Sequence, residues 1–91
     1  MELVLDTEER VRQVVVTALR LAMEPYDLPR EEPLFGGGLS GDSLGALEIV
    51  FGLEREFGLD VGDDELRPEL FDSVASLTVY VDAKLAARAG A

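Results

Sequence analysis

One motif could carry chemistry: Gly41, Asp42, Ser43, Leu44 and Gly45 fit the pattern G-x-S-x-G, with Ser43 as its serine. In serine hydrolases this pattern exposes a nucleophilic serine on a sharp turn between a strand and a helix. Such a serine needs a base within hydrogen-bond reach, usually a histidine held by a carboxylate. The chain contains no histidine, and no strand pattern precedes the motif. We therefore interpret Ser43 as a hydroxyl on which another protein acts, and we expect the chain alone to catalyse nothing.

The amino-acid composition restricts the class of protein and the kinds of site. The 91 residues are 47% hydrophobic and 30% charged, which predicts one small globular domain. Cysteine and histidine are both absent, so we predict no disulfide framework and no metal site. No apolar run approaches the ~20 residues that cross a bilayer, and the N-terminal residues lack the pattern of a secretory signal. We expect a cytoplasmic monomer that does not bind membranes.

The net charge of −11 is large for a chain of this size, and it is concentrated in the middle. Between Glu24 and Asp82 there are 15 acidic residues and three basic ones. Nucleic-acid binding is disfavoured, because neutralising phosphates requires clustered lysine and arginine. Two interpretations remain open. The acidic residues are a solubilising surface, or they dock basic patches of partner proteins, where charge accelerates encounter.

The first predicted helix begins at Thr7 as N-cap, with Glu8 and Glu9 in its first turn, and ends before Pro25. A connection as long as residues 25–41 is unusual in a small domain and is often functional. The buried stripe of this helix is predicted to contain Val11, Val14, Val15, Ala18, Leu19 and Ala22. The connection is expected to reach the core through Leu28, Leu34, Phe35 and Leu39.

The second predicted helix covers about residues 43–57, with Asp42 as N-cap and Gly58 as stop signal. At 100° per residue its apolar residues form two stripes. The core stripe contains Ala46, Val50, Leu53 and Phe57. The opposite stripe contains Leu44, Glu48, Phe51 and Arg55. Apolar residues at this spacing are usually buried, but alternation with charge opposite a complete core stripe fits a partner-binding surface.

Two further helices are predicted in the remaining sequence. A short third helix covers about residues 64–71, with Pro68 tolerated near its start. A last helix begins at Asp72 or Ser73, with Tyr80 beside its buried stripe. The acids that precede and open the third helix lack the spacing of a calcium loop, and we interpret them as caps and surface charge. These acids are Asp60, Asp63, Asp64 and Glu65. The buried stripe of the last helix is predicted to contain Val74, Leu77, Val81 and Leu85.

Residues 7–85 resemble the acyl carrier proteins. The most specific match is Asp42, Ser43 and Leu44 at the start of the second helix, after a long loop. The resemblance is reinforced by segments 47–50 and 53–58 and by the helix that contains Tyr80. The resemblance implies an all-α fold, a small four-helix bundle with a long loop between helices 1 and 2 and a short helix 3. It also implies a single carrier domain over residues 1–91.

The resemblance further implies a carrier function. A phosphopantetheinyl transferase would move a 4′-phosphopantetheine arm from coenzyme A onto Ser43, and Asp42 would help to present the serine. The thiol of the arm would hold an acyl group as a thioester. Acyl-loading and acyl-transferring enzymes or synthase modules would be the further partners. The residues that fall where the family docks its partners are Leu44, Glu48, Phe51, Glu54 and Arg55.

Two departures from the family pattern bear on the pathway. Gly45 and Arg55 stand where acids are common, so this surface is less uniformly acidic than that of carriers in fatty-acid synthesis. The loop segment 34–39 looks more like the freestanding carriers of specialised polyketide pathways. Two other hypotheses remain: an aminoacyl or peptidyl carrier of a nonribosomal or hybrid pathway, and an unmodified acidic helical adaptor.

Overall fold

The structure, a computed structural model, describes residues 6–35 and 43–89. These ranges contain three α-helices, α1 (Thr7–Leu19), α2 (Ser43–Phe57) and α3 (Val74–Ala89), and no β-strand. Three short 3-10 helices accompany them, at Pro25–Asp27, Asp63–Glu65 and Pro68–Phe71. The predicted all-α fold is confirmed, and the predicted count of four helices is approximate. None of the helices in these ranges is long and apolar enough to cross a membrane.

The N-cap of α1 is Asp6 rather than Thr7. A carboxylate oxygen of Asp6 accepts the backbone N–H of Glu9 at 2.9 Å, and Asp6 itself has an extended backbone. Thr7 is already the first helical residue. Aspartate and threonine are both good caps, and the predicted N-cap, Thr7, is one residue too late.

The end of α1 comes earlier than predicted. The helix stops at Leu19, well before Pro25, because Arg20 adopts the left-handed conformation with φ 55°. The N–H of Leu21 then donates to the carbonyl of Val16 at 3.0 Å, which closes the helix in a Schellman motif. Glycine is the usual residue at such a position, and arginine gave no stop signal in the sequence.

Helices α1 and α2 run antiparallel and approach each other closely. Arg10, near the start of α1, forms a 2.8 Å ion pair with Glu56, near the end of α2. Further along the pair, Val14 lies against Gly52, where an added Cβ would fall 2.7 Å from Val14 Cγ1. The absence of a side chain at Gly52 therefore sets the distance between the two helices.

The hydrophobic core joins α1, α2, α3 and the connection that follows α1. The predicted stripes are largely confirmed, although Ala46 is only half-buried and Ala22 is exposed because α1 has already ended. Ile49 was missing from the predicted core stripe and is fully buried. Leu39 lies outside the described residues. The buried apolar residues are Val11, Val14, Val15, Leu28, Leu34, Ile49, Val50, Leu53, Phe57, Leu59, Val74, Leu77 and Val81.

The short third helix predicted over residues 64–71 is wrong in type. Two 3-10 helices occupy this region, and Pro68 begins the second of them. In a continuous α-helix from Asp64, Pro68 would lack the N–H that donates to the Asp64 carbonyl, and its ring would clash with that carbonyl. The chain therefore breaks into two tighter turns.

The end of α2 and the start of α3 follow the sequence signals. Gly58 has φ 66° and the N–H of Leu59 donates to the carbonyl of Glu54 at 3.2 Å, which confirms Gly58 as the stop residue. Ser73 caps α3: its hydroxyl accepts the N–H of Ser76 at 3.2 Å, while the Ser76 hydroxyl accepts the N–H of Ser73 at 3.0 Å.

Candidate functional site

Ser43 is the first residue of α2, so it lies where a helix carries its partial positive charge. The first turn of α2 contains no acidic residue, and nothing in it opposes an anionic group attached at the helix start. Asp42, the predicted cap and presenting residue, lies outside the described residues. What the described chain provides at this point is a helix N-terminus that begins on a serine.

After Ser43, one side of α2 is exposed and carries both apolar and charged side chains. Leu44, Leu47 and Phe51 are 66%, 46% and 54% exposed, which is high for large apolar residues. Glu48 and Arg55 are exposed between and beyond them. We call these five residues the outer face of α2. The predicted exposure of four of them is confirmed, while Leu47 was missed although its helical spacing from Leu44 and Phe51 was a usable signal.

Glu54, the remaining predicted docking residue, has a role inside the protein. It is half-buried, and its carboxylate accepts the backbone N–H of Val61 at 2.9 Å. This bond holds the segment that follows α2 against the helix. Glu54 therefore differs from Glu48, whose side chain has no hydrogen bond or ion pair within residues 6–35 and 43–89.

An open groove lies beside the first turns of α2, between the connection and the start of α3. Its volume is about 1180 Å³. Phe35 and Phe71 form one wall, edge to face with their ring centroids 6.2 Å apart. Ala46, three residues after Ser43, and Val79 of α3 also line it. An apolar group tethered at the start of α2 would have apolar walls nearby.

Arg12 anchors the connection to α1. Its side chain is only 11% exposed, and its Nε donates to the carbonyl of Leu28 at 2.9 Å. Its Nη1 pairs with Glu8 at 2.8 Å and with Glu9 at 2.6 Å, so the buried guanidinium is fully compensated. Sequence reasoning missed Arg12. The available signal was its position beside Val11 and four residues after Glu8.

The second half of the connection is bound to α3. The carbonyl of Arg30 accepts the N–H of Ala75 at 2.8 Å, and the N–H of Leu34 donates to the carbonyl of Asp72 at 3.1 Å. These bonds pair backbone groups of the connection with the start of α3. The described part of the connection is thus fixed to α1 at Leu28 and to the start of α3 at Arg30 and Leu34.

Glu8 joins the two anchors. Its carboxylate accepts the Nε of Arg30 at 2.9 Å and also pairs with Arg12. The hydrogen bond from Arg30, followed by the positive charge of Arg12, lowers the pKa of Glu8 below its ordinary value. The carboxylate is therefore charged at neutral pH, and the connection is held by a connected set of ion pairs.

Glu65 organises the region between α2 and α3. Its carboxylate accepts the N–H of Gly62 at 2.8 Å, the hydroxyl of Tyr80 at 3.1 Å and the Nζ of Lys84 at 3.0 Å. The bond from Gly62 and then that from Lys84 lower the pKa of Glu65, whereas burial and the neighbouring Glu65 raise the pKa of Tyr80. No group of three or more potential metal-ligating side chains gathers in the described ranges.

Comparison with known proteins identifies the family. Residues 9–81 match the family described as phosphopantetheine attachment site. Over 77 residues the chain is 36% identical to an acyl carrier protein of Zymomonas mobilis subsp. mobilis, covering 85% of this chain and 92% of that protein. The chain belongs to the acyl carrier protein family. The solution structure of a holo acyl carrier protein from Nitrosomonas europaea superposes with a TM-score of 0.79 at 28% identity, covering 90% of this chain and 99% of that one.

As an acyl carrier protein, the chain is a carrier of a phosphopantetheine prosthetic group and not a catalyst. The residues present fit that group. A thioester carrier needs a thiol, and the chain has no cysteine, so the thiol has to come from the prosthetic group. The arm is attached through its phosphate, whose negative charge is compatible with a helix N-terminus free of acidic side chains in its first turn.

Proposed function

We propose that this carrier holds acyl intermediates as thioesters on a 4′-phosphopantetheine arm attached to Ser43. The observation that supports the site is that Ser43 is the first residue of α2, next to the exposed outer face of that helix. The other serines fit less well. Ser73 and Ser76 use their hydroxyls to cap α3, and Ser76 also donates to the carbonyl of Leu70 at 2.9 Å. Ser40 lies outside the described residues.

The attachment chemistry needs only the serine hydroxyl from this chain. The Ser43 oxygen forms a new bond to the phosphorus of the arm, while a phosphorus–oxygen bond within coenzyme A breaks and the adenine nucleotide leaves. The base that removes the serine proton belongs to the phosphopantetheinyl transferase, because this chain has no histidine. By analogy with the family, Asp42 helps to present the serine to that enzyme.

Partner enzymes dock on the outer face of α2, with Leu44 and Phe51 as apolar anchors and Glu48 as a charged contact. Exposed apolar side chains on a charged helix favour a protein partner over solvent. Arg55 and, beside the face, Glu54 complete the proposed docking set. The partners are the transferase and the acyl-loading and acyl-transferring enzymes of a polyketide or fatty-acid-like pathway. The whole chain, residues 1–91, acts as a single monomeric domain in the cytoplasm.

Mass spectrometry tests the proposal in two steps. The purified chain is incubated with coenzyme A and a broad-specificity phosphopantetheinyl transferase, and we expect a gain of one phosphopantetheinyl mass that Ser43→Ala abolishes. A folded Ser43→Ala variant that still gains the arm contradicts the site.

The second step distinguishes the cargo. The arm-bearing protein is offered to an acyltransferase with malonyl-coenzyme A and to an amino-acid-activating enzyme with its amino acid. We expect a malonyl thioester and no aminoacyl thioester. The reverse pattern supports a peptidyl or aminoacyl carrier, and the absence of the arm in the first step supports an unmodified adaptor.

A further inference from the structure

Most of the basic side chains of this acidic protein are occupied by internal contacts. The chain has eight lysine and arginine residues against 19 acids. Five of the eight bind within the protein, to carboxylates or to helix-end carbonyls: Arg10, Arg12, Arg30, Lys84 and Arg88. Within residues 6–35 and 43–89, the side chains of Arg20, Arg55 and Arg67 have no hydrogen bond or ion pair.

Two of these three unpaired arginines share one groove. Arg20, at the end of α1, and Arg55, on α2, both line a depression of about 480 Å³ between the two helices. Gly52 lines the depression without a side chain to fill it, and Glu48 is a further lining residue. Glu56, a further lining residue, is already paired with Arg10, so it does not neutralise either free guanidinium. Arg67 lies elsewhere, beyond the first two 3-10 helices.

The backbone at Arg20 is an independent observation. Arg20 is the only described non-glycine residue with positive φ, at 55°. Glycine adopts this conformation without strain, whereas a residue with a Cβ does not. The chain therefore keeps a large charged side chain, with no internal partner in the described residues, at a position where glycine would be free of strain.

We propose that the groove between α1 and α2 binds a carboxylate side chain of an acyl-handling partner protein through Arg20 and Arg55. This rests on the proposed function, because the same partner also covers the outer face of α2. Arg55 belongs to both surfaces and links them. A guanidinium presents a fork of donors that matches a carboxylate, which favours an acidic side chain over other ligands. A polyanion such as nucleic acid is disfavoured by the net charge of −11.

The consequence is that a partner protein docks in a single orientation. A partner that meets Glu48 with a basic group and the two arginines with an acidic group can sit in one orientation only, because reversal brings like charges together. Charges of both signs within one interface select partners and fix their orientation more than they add affinity. The groove therefore discriminates against partners whose docking surface is uniformly basic.

The test uses the arm-bearing protein, labelled with nitrogen-15, and a synthetic amphipathic helical peptide with glutamates spaced four residues apart. The control peptide carries glutamine in their place. At low ionic strength we expect the glutamate peptide to shift the amide resonances of residues 13–20 and 48–56, and the glutamine peptide to bind more weakly. Arg20→Gly with Arg55→Gln should weaken binding of the glutamate peptide by roughly 2- to 30-fold, the effect of two exposed ion pairs.

Two controls separate a docking role from a structural one. Arg67→Gln removes the same charge outside the groove, and we expect peptide binding to stay unchanged. Arg20→Gly relieves the left-handed strain, so we expect its melting temperature to rise while binding falls; a residue that merely supports the fold would show the opposite. Absence of shifts in the two ranges with the glutamate peptide, or an equal loss with Arg67→Gln, overturns the proposal.

Failure of this inference is distinguishable from failure of the proposed function. The protein is converted with transferase and coenzyme A before the titration, and its mass is recorded. A chain that gains no arm contradicts the proposed function. A chain that gains the arm normally but shows no shifts contradicts only the groove.

Discussion

At the scale of single residues, the side chains of α2 divide into those that serve the fold and those that face solvent without a partner. Glu54 accepts a backbone N–H from the segment after the helix, and Glu56 is paired with Arg10. Glu48 and Phe51 lie one turn apart and are exposed. These two residues are therefore positions where docking can be changed without breaking a hydrogen bond or ion pair of the described structure.

The first prediction concerns the kinetics of docking to a phosphopantetheinyl transferase. Glu48→Lys should slow association by about 1.5- to 5-fold at low ionic strength, because it removes and reverses one steering charge. Phe51→Ala should instead speed dissociation by roughly 5-fold or more, since a buried aromatic anchor holds a complex together. Both rates are measured by stopped-flow or surface binding at two salt concentrations.

The control for this prediction is Asp82→Lys, an equal charge reversal at an exposed position of α3. It should leave both rates close to those of the wild type. If Glu48→Lys and Asp82→Lys slow association equally, only the net charge matters and the outer face of α2 is a solvated surface. Glu54→Lys is a poorer test, because it also breaks the hydrogen bond to Val61.

At the scale of elements, the contact between α1 and α2 depends on the absence of a side chain at one position. Ala in place of Gly52 would put a Cβ 2.7 Å from Val14 Cγ1, and Val14 is buried and β-branched, so it cannot easily rotate away. Two effects of the substitution oppose each other. The clash costs about 1–3 kcal/mol, while the better helix propensity of alanine contributes about 1 kcal/mol.

The second prediction follows from that balance. Gly52→Ala should lower the free energy of unfolding in the wild-type protein by up to ~2 kcal/mol. In a Val14→Ala background the clash is absent, so the same substitution should raise stability by about 1 kcal/mol. Urea denaturation of the four proteins measures both values. Additive effects of the two substitutions would mean that the helices do not approach as closely as described.

Local signals in the sequence were enough to predict the helices that carry the site. The helical spacing of apolar residues predicted most of the buried stripes of α1, α2 and α3. Gly58 predicted the end of α2, because glycine adopts its φ of 66° without strain. The end of α1 was not predictable in this way, since Arg20 gives no stop signal. The region around Pro68 was misread because the position of proline within a helix, and not its mere presence, decides whether the helix continues.

Tertiary contacts explain what the sequence did not reveal about the site. Arg12 looks like a surface residue in the chain, and only the fold brings the Leu28 carbonyl to its guanidinium. The groove containing Arg20 and Arg55 also forms only when α1 and α2 pack together. Exposure of Leu44 and Phe51 was predictable, because the opposite stripe of α2 already supplied the core residues Val50, Leu53 and Phe57.

At the scale of the whole molecule, an excess of negative charge is balanced locally by ion pairs that hold the connecting segments. Glu8 binds Arg12 and Arg30, and Glu65 binds Lys84. The pKa values of Glu8 and Glu65 both lie below the ordinary value of 4.5. A carboxylate with a lowered pKa stabilises the fold above its unfolded pKa, and this contribution is lost as the pH falls through the folded value.

The third prediction is the pH dependence of stability. As the pH falls below 4.5, protonation of Glu65 should remove its contribution, so Glu65→Gln should show a smaller loss of melting temperature than the wild type over this range. At neutral pH the same variant should melt at a lower temperature, because the bond to Lys84 is weakened. Relief of general repulsion between acids affects both proteins, so the comparison of their slopes isolates Glu65.

Glu24→Gln is the matched control for the pH experiment. Glu24 is exposed and forms no ion pair within the described residues, so its variant should follow the wild-type slope. Identical acid slopes for the wild type, Glu65→Gln and Glu24→Gln would contradict the stabilising role of the Glu65 cluster.

The central claim is that Ser43 bears the arm on which this carrier holds an acyl group. The most direct measurement is the mass of the protein isolated from its own host, without reduction or added enzymes, followed by fragmentation of the peptide that contains residue 43. We expect one phosphopantetheinyl arm on Ser43, with an acyl mass attached that neutral hydroxylamine removes. An unmodified chain in an actively growing host, or an arm on any other residue, would contradict the account.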